Sequence, residues 1–199
     1  MDAAASHLEE ENRRLRRATE ELSILNDLAS AISSTMSLDG IVATIVEKCV
    51  KHLKVEQGAV MLLEEEEPDS PLRTMVRKMD SVAGGVPYRL GVQLTGLMLK
   101  EQRPLLVNDL QGDPRFGALG PEDRPTRSLL SVPLVLKGCL IGLLNVFNKR
   151  DEGWFTQEDQ RLLSIIAVQS AQVIENARLY EEEQVLLRMQ EELRLAGEI

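Results

Sequence analysis

The sequence predicts an α+β domain, and three observations support this class. Two apolar runs flank the dipeptide Lys137-Gly138 within residues 128–149, a pattern typical of a β-hairpin. Between residues 38 and 53, apolar side chains recur with a period near 3.6, as expected for an amphipathic helix. A long stretch without Gly or Pro follows Thr156 and predicts a second, longer helix.

The remaining elements follow from short apolar runs and turn residues. A Glu-rich run predicts an exposed connection between two of the strands. Three prolines and three glycines predict an irregular loop at 109–127, of the kind that often carries binding residues. The predicted strands lie at 58–63, 72–79, 86–90 and 104–108, and a short helix is predicted at 93–102.

The N-terminal 36 residues contain neither Gly nor Pro and predict a helix. Leu8, Leu15 and Leu22 recur every seven residues, and Asn12 and Asn26 lie on the same seam, together with Thr19. Leucine at one seam position and asparagine at the other favour a parallel two-stranded coiled coil. We therefore expect a homodimer through the terminal helices. A single amphipathic helix lying on its own domain is the alternative.

The C-terminal helix has a well-defined predicted start. Thr156 and Asp159 have the spacing of a capping box. Further along, Leu179, Leu186 and Leu193 again keep a seven-residue period. A helix of about 40 residues is roughly 60 Å long. Its distal half is expected to pair with another chain or to connect to another domain.

Composition excludes several classes of function. The net charge of −9 leaves no basic face for nucleic acid. No apolar run approaches the length of a membrane span, and no secretory signal is recognisable, so we expect a cytoplasmic protein without membrane contact. The two cysteines, Cys49 and Cys139, lie far apart and are predicted to be free thiols, with a disulfide or redox pair as the less favoured reading.

No catalytic constellation is recognisable. The two histidines, His7 and His52, have no partner at metal-ligand spacing. Nucleophile-elbow, P-loop and dinucleotide-binding motifs are absent from the sequence. We therefore predict no metal, no catalytic residue and no enzyme activity in this segment.

The hairpin and the helix after it resemble the GAF domain family of sensory modules in signalling proteins. The resemblance rests on Ser131-Val132-Pro133-Leu134, on residues 141–149, on Phe155-Thr156 with Glu158-Asp159, and on residues 175–180. It extends over about residues 20–180 and is distributed along the chain.

This resemblance implies a GAF-like antiparallel sheet of five to six strands, with helices from both termini on one face and long coiled-coil extensions. It implies three units: a signalling helix at 1–36, a sensor domain at 37–160 and a helical linker at 161–199. A small-molecule pocket is expected on the other face of the sheet, with an unknown ligand and an unknown cofactor. The polar candidates for that pocket are Thr95, Asn108, Asp109, Arg115, Arg127, Ser131 and Asn145. Ser131 and Asn145 could instead face solvent, and the two arginines could be ordinary loop charges.

Members of the family that bind cyclic nucleotides carry an N-K…F-x-x-x-D-E pattern. The present chain matches it at Asn148, Lys149, Phe155 and Asp159, but Gln160 replaces the final glutamate. The resemblance implies a structural ion pair between Lys149 and Asp159. Cyclic-nucleotide binding stays open as an alternative, as does a structural dimerisation module without a ligand.

Residues 191–199 resemble the linker that precedes sporulation-type serine phosphatase domains in bacterial regulators. We therefore expect an output domain in cis beyond this segment. Linkers before diguanylate cyclases and histidine kinases are similar, so a phosphatase, cyclase or kinase could follow.

Overall fold

The computed structural model describes residues 37–63, 96–116, 126–150 and 153–196, the backbone of 72–79, and single positions between 7 and 26, which are helical. Expectations for residues 64–71 and 86–90, and for Thr95, lie outside the described residues.

The centre of the fold is an antiparallel sheet of five strands in the order β2-β1-β5-β4-β3. This arrangement confirms the predicted α+β class with an antiparallel sheet. The strands are β1 (Val55–Leu63), β2 (Leu72–Met79), β3 (Leu105–Val107), β4 (Leu129–Leu136) and β5 (Cys139–Lys149).

The β4–β5 hairpin has the turn that its sequence predicts. Lys137 and Gly138 both have positive φ, of 50° and 83°, which is the geometry of a type I′ turn. Pro133 lies within β4 but beyond the residues that pair with β3. Among the described strands, β4 has only β5 as a neighbour at that point, so a proline without an N–H is tolerated there.

Two helices cover one face of the sheet. Helix α1 (Leu38–Leu53) and helix α2 (Gln157–Ala196) bury aliphatic side chains against β1, β4 and β5. Ser37 caps the start of α1 by accepting a hydrogen bond from the Gly40 amide. The Leu38 amide donates to Glu181 Oε1 at 2.8 Å, which ties the start of α1 to the middle of α2.

A second hydrophobic cluster, hereafter the second-face cluster, lies on the opposite face. Residues 96–101, which are helical, and the 3₁₀ turn Pro114–Phe116 contribute to it from above the sheet. Its buried members are Ala59, Met98, Leu105, Val107, Leu110, Phe116, Leu129, Leu143 and Phe147. The sheet therefore has a packed core on each side.

Helix α2 extends beyond the domain. Its buried side chains end at Ile174, whereas Leu179, Leu186 and Leu193 are 53%, 60% and 73% exposed. In the N-terminal segment, Leu8 and Leu22 are each 65% exposed. The predicted coiled coil stays a prediction, because these surfaces have no partner chain in a single copy. Among the described residues, no helix combines the length and apolar character needed to cross a membrane.

At Gly142, β5 lies close to the backbone of β1. A Cβ atom there would lie 2.3 Å from the Met61 carbonyl oxygen, and backbone cannot give way easily. We expect Gly142→Ala to lower the free energy of unfolding by about 1–3 kcal/mol. Gly96→Ala is the matched control, because a Cβ there has nothing within 4 Å, and it should change stability by less than about 1 kcal/mol. Urea titration followed by circular dichroism measures both, and equal losses would contradict the close approach.

The two thiols are expected to differ in reactivity. Burial in the helix-side core raises the pKa of Cys49 from 9.0 to about 12, whereas Cys139 is exposed. At about pH 8, a disulfide reagent should label Cys139 in the folded protein and reach Cys49 only after unfolding. Because the pKa of Cys49 is raised on folding, its contribution to stability is full below pH 9.0 and declines as pH rises toward 12. Rapid labelling of both thiols in the folded protein would show that the packing of α1 is wrong.

Candidate functional site

Ser131 and Asn145 are the two candidate residues that the fold brings together on the second face. They are cross-strand neighbours on β4 and β5, and both are fully buried. Ser131 Oγ donates a hydrogen bond to Asn145 Oδ1 at 2.5 Å. The amide nitrogen of Asn145 has no hydrogen-bond partner within the described part of the chain. A buried donor left unpaired costs about 1–3 kcal/mol of folding free energy. A partner that accepts a hydrogen bond from this nitrogen would remove that cost.

The other unpaired buried atoms lie on α2 and have local explanations. The Ser170 hydroxyl is in a helix, where it can rotate toward a carbonyl one turn earlier. Glu175 Oε2 and Arg178 Nε are 3.8 Å apart and attract each other as an ion pair. The amide of Asn145, on a strand, has neither explanation.

Asn108 does not line the second face. Its side chain accepts a hydrogen bond from the Phe155 amide at 2.7 Å and donates one to the Phe155 carbonyl at 3.0 Å. The two bonds resemble a β-bridge made by a side chain. They fix the end of β3 to the segment that leads into α2.

Asn148, at the end of β5, makes a second set of side-chain hydrogen bonds near this segment. Its Oδ1 accepts hydrogen bonds from the amides of Arg127 and Ser128 at 2.7 and 3.3 Å, and its Nδ2 donates to Glu56 at 2.8 Å. Its φ of 54° is left-handed, a region that asparagine tolerates better than most residues. The Asn148 amide in turn donates to the Ser128 carbonyl.

The remaining candidates lie at the surface and are engaged locally. Arg127 is exposed and forms an ion pair with Glu56 at 2.9 Å. Asp109 is exposed and accepts a hydrogen bond from the Gly112 amide, closing its own turn. Asn108, Asp109, Arg115 and Arg127 therefore do not join Ser131 and Asn145.

Arg115 binds its neighbour Asp113 through several hydrogen bonds, with Nη2 2.5 Å from Oδ2. The side-chain hydrogen bonds to Arg115 lower the pKa of Asp113, and those to Asp113 raise the pKa of Arg115. Both carboxylate oxygens of Asp113 therefore bind the Arg115 guanidinium, so Arg115 is paired within its own loop.

The ion pair between Lys149 and Asp159 is present, with Nζ 2.6 Å from Oδ1 and both side chains mostly buried. Asp159 Oδ2 also accepts from the Thr156 amide, and the Asp159 amide donates to Thr156 Oγ1, which completes the capping box. Lys149 Nζ lies 5.8 Å from the centre of the Phe155 ring, within cation–π range. The end of β5 is thereby bonded to the first turn of α2.

Together these contacts form one unit, hereafter the junction, consisting of Asn108, Asn148, Lys149, Phe155 and Asp159. The 109–127 loop is closed at its base by a bond from the Leu110 amide to the Arg127 carbonyl. The N-terminal end of the loop is attached through Asn108 to Phe155, and its C-terminal end is attached through Asn148 to the end of β5. One end of the loop therefore contacts the segment that opens α2, and the other contacts the end of β5.

The sequence does not predict the role of Asn148 or of its partner Glu56. Asn148 belongs to a family pattern that assigns it no contact, and Glu56 belongs to no motif. The signal for Asn148 is an asparagine at the end of a strand, a residue type that tolerates positive φ.

Thr95 lies outside the described residues, and the described part of the chain has no cluster of side chains suited to a metal ion.

The fold and the site define a sheet domain with a buried polar pair on one face and a long helix leaving the other. The sequence pattern of the GAF domain matches residues 35–175. The chain therefore belongs to the GAF domain family.

Relatives and solved structures agree with this assignment. The Nif-specific regulatory protein of Azospirillum brasilense is 27% identical in an alignment of 195 positions that covers 90% of this chain and 31% of that protein. Nitrogen fixation protein VnfA of Azotobacter vinelandii is 23% identical in an alignment of 162 positions that covers 79% of this chain and 31% of that protein. The chain thus spans about a third of the length of these relatives.

The structural comparison supports the fold. The GAF domain of a phosphoenolpyruvate-protein phosphotransferase from Coxiella burnetii superposes with a TM-score of 0.66 and 18% identity, covering 83% of this chain and 98% of that one. At this identity the likeness shows the shared fold alone.

Asn108→Ala tests the attachment at Phe155. Loss of the side chain removes both hydrogen bonds to the Phe155 backbone, and we expect a loss of about 1–3 kcal/mol in stability. Hydrogen exchange should accelerate most at the first turn of α2. Asn176→Ala is the matched control, since its exposed side chain binds only within α2, and it should change stability by less than about 0.5 kcal/mol. Unchanged exchange at the first turn in Asn108→Ala would rule out the attachment.

Proposed function

We propose that this GAF domain is the sensory or regulatory module of a longer signalling protein. A small molecule on the second face would change the position of the 109–127 loop. The change would reach α2 through the junction, and α2 would carry it to an output domain in cis.

The junction is the observation that carries this proposal. One end of the loop is hydrogen-bonded through Asn108 to Phe155, just before α2, and the other is hydrogen-bonded to Asn148 at the end of β5. Asp159, in the first turn of α2, is bonded both to Lys149 and to the Thr156 amide. These contacts support the proposal that a displacement of the loop base would reach the start of the helix.

The terminal helices support a homodimer as the form that relays the signal. Leu179, Leu186 and Leu193 lie seven residues apart on one stripe of α2 and are exposed in the single chain. Leu8 and Leu22, with Leu15 between them, form a similar exposed stripe at the other end of the chain. A second copy would bury both stripes in a coiled coil.

The relatives support an attached output domain. The matching proteins include a Nif-specific regulatory protein and the nitrogen fixation protein VnfA, and the matched segment is 31% of the length of each. Regulation of an attached domain is the role that we propose by analogy with them. The predicted phosphatase output has no support from these relatives and stays a prediction.

Cyclic-nucleotide binding is less well supported. A phosphate needs a cation or several backbone amides, and Arg127 and Arg115 are paired with Glu56 and Asp113. A purely structural dimerisation module is the alternative function. The buried, unpaired amide nitrogen of Asn145 favours a ligand instead, because a ligand could accept its hydrogen bond.

Leu186→Glu tests the dimer. We expect the wild-type chain to sediment as a dimer at micromolar concentration and this variant to dissociate about a hundredfold more readily, because the carboxylate would be buried in the helix seam. Leu187→Glu introduces the same charge on the neighbouring position, which is 52% exposed against 60% for Leu186. It lies off the stripe and should leave the dimer intact.

Sedimentation velocity over a concentration series distinguishes the outcomes. A monomeric wild-type chain would refute the dimer, and equal weakening by both variants would show that the stripe is not the interface.

A further inference from the structure

The exposed stripe of α2 is not apolar along its whole length. One seam position of the predicted coiled coil is occupied by the exposed leucines Leu179, Leu186 and Leu193. Met189 marks the other seam position, and steps of seven residues back from it reach Glu182, then Glu175 and then Val168. Residues at a seam position face the second helix of a two-stranded coiled coil. The predicted seam therefore contains two carboxylates between its apolar ends.

Val168 extends the seam onto the domain itself. Its side chain is 61% exposed, whereas Ala167 and Ala171 beside it are buried in the core. Within the described part of α2, no other large apolar side chain before Leu179 is exposed. A single exposed valine is ordinary on a protein surface, but this one falls in register with the seam. The surface available to a second copy therefore begins while α2 is still packed on the sheet.

Three charged side chains, hereafter the charged layer, separate Val168 from the distal part of the seam. They are Glu175, Arg178 and Glu182. Arg178 Nε lies 3.8 Å from Glu175 Oε2 and 3.4 Å from Glu182 Oε1, so one guanidinium bridges two carboxylates of its own helix. Arg178 Nε and Glu175 Oε2 are buried, and neither has a hydrogen-bond partner within the described part of the chain. The layer is thus both negatively charged and incompletely satisfied.

A second copy in parallel register would place an identical layer opposite the first. Glu175 and Glu182 would each face their counterparts, and like charges repel strongly where a helix seam excludes water. Arg178 flanks the seam, and from this position it would reach Glu183 of the partner subunit. That ion pair exists only in the parallel, in-register arrangement, so charge complementarity favours this orientation although the seam itself is weakened.

We propose that a second copy of the chain binds along α2 from Val168 to Leu193 in parallel register, and that the charged layer weakens this interface where the helix leaves the domain. The interface would have apolar contacts at both ends and a weak centre. The centre is the part that a small movement of the domain would open or close. This inference rests on the homodimer proposed above and adds its orientation and its weakest segment.

Glu182→Leu tests the charged layer in sedimentation experiments on the full chain. The dimer dissociation constant should fall about tenfold, because the change removes a like-charge contact and adds apolar surface to the seam. Glu191→Leu is the matched control. The two glutamates are 57% and 56% exposed, and each forms an ion pair with an arginine of its own helix. Since Glu191 lies on the side of α2 opposite the seam, its replacement should change the constant by less than about twofold.

Salt supplies a second readout of the same layer. Raising the sodium chloride concentration from about 50 to about 500 mM should tighten the wild-type dimer, because salt screens the facing carboxylates. The effect should be smaller in Glu182→Leu and unchanged in Glu191→Leu.

Cysteine crosslinking tests the orientation and the extension onto the domain. In a Cys139→Ser background, Val168→Cys should form an intermolecular disulfide under mild oxidation, because parallel register brings the two thiols together. Gln169→Cys, also exposed but one position away from the seam, should crosslink at least about fivefold more slowly.

The possible failures are distinguishable. A monomeric wild-type chain would refute the proposed homodimer together with this interface. A dimer that Glu182→Leu does not tighten, or that Glu191→Leu tightens equally, would refute the charged layer and leave the homodimer in place. Equal crosslinking at positions 168 and 169 would refute the register.

Discussion

Two asparagine side chains hold the sheet and the long helix in one arrangement. Asn108 and Asn148 each provide one donor and one acceptor to groups that the strands leave unpaired, and their partners are Phe155 in one case and Arg127, Ser128 and Glu56 in the other. Because the described residues between β5 and α2, Arg150 and 153–156, lie outside the sheet, these bonds help to position the start of the helix. The capping box and the Lys149–Asp159 pair then fix its first turn.

The two faces of the sheet are specialised by the size of their side chains. Toward α1 and α2, the strands present aliphatic residues such as Val60, Val132 and Leu144, which pack against the helices. On the other face, Ala59, Ser131 and Asn145 interrupt the apolar surface in a single row. Both faces therefore have a packed core, and the second also holds a buried polar pair whose amide nitrogen has no partner within the described part of the chain.

Local spacing explains which features the sequence could predict. The hairpin turn at Lys137-Gly138, the capping box at Thr156 and the strand at 72–79 depend on residues close in sequence, and each is found where it was expected. Asn108 and Phe155 are 47 residues apart, and Glu56 and Asn148 are 92 apart. Contacts of this kind depend on strand register, which a single sequence without an alignment does not specify.

The same limit applies to the candidate site, and it explains how a signal can leave the domain. Strands β4 and β5 are apolar on both faces, so alternation could not show whether Ser131 and Asn145 lie under the helices, on the second face or in solvent. The placement of Ser131 and Asn145 decides which side of the sheet a ligand bound to them would occupy. In the function we propose, a ligand on the second face would shift the loop only through different affinities for its two positions. One end of the loop is bonded through Asn108 to Phe155 and the other through Asn148 to the end of β5, so that difference in free energy would be passed on at Phe155, at the base of a helix about 60 Å long.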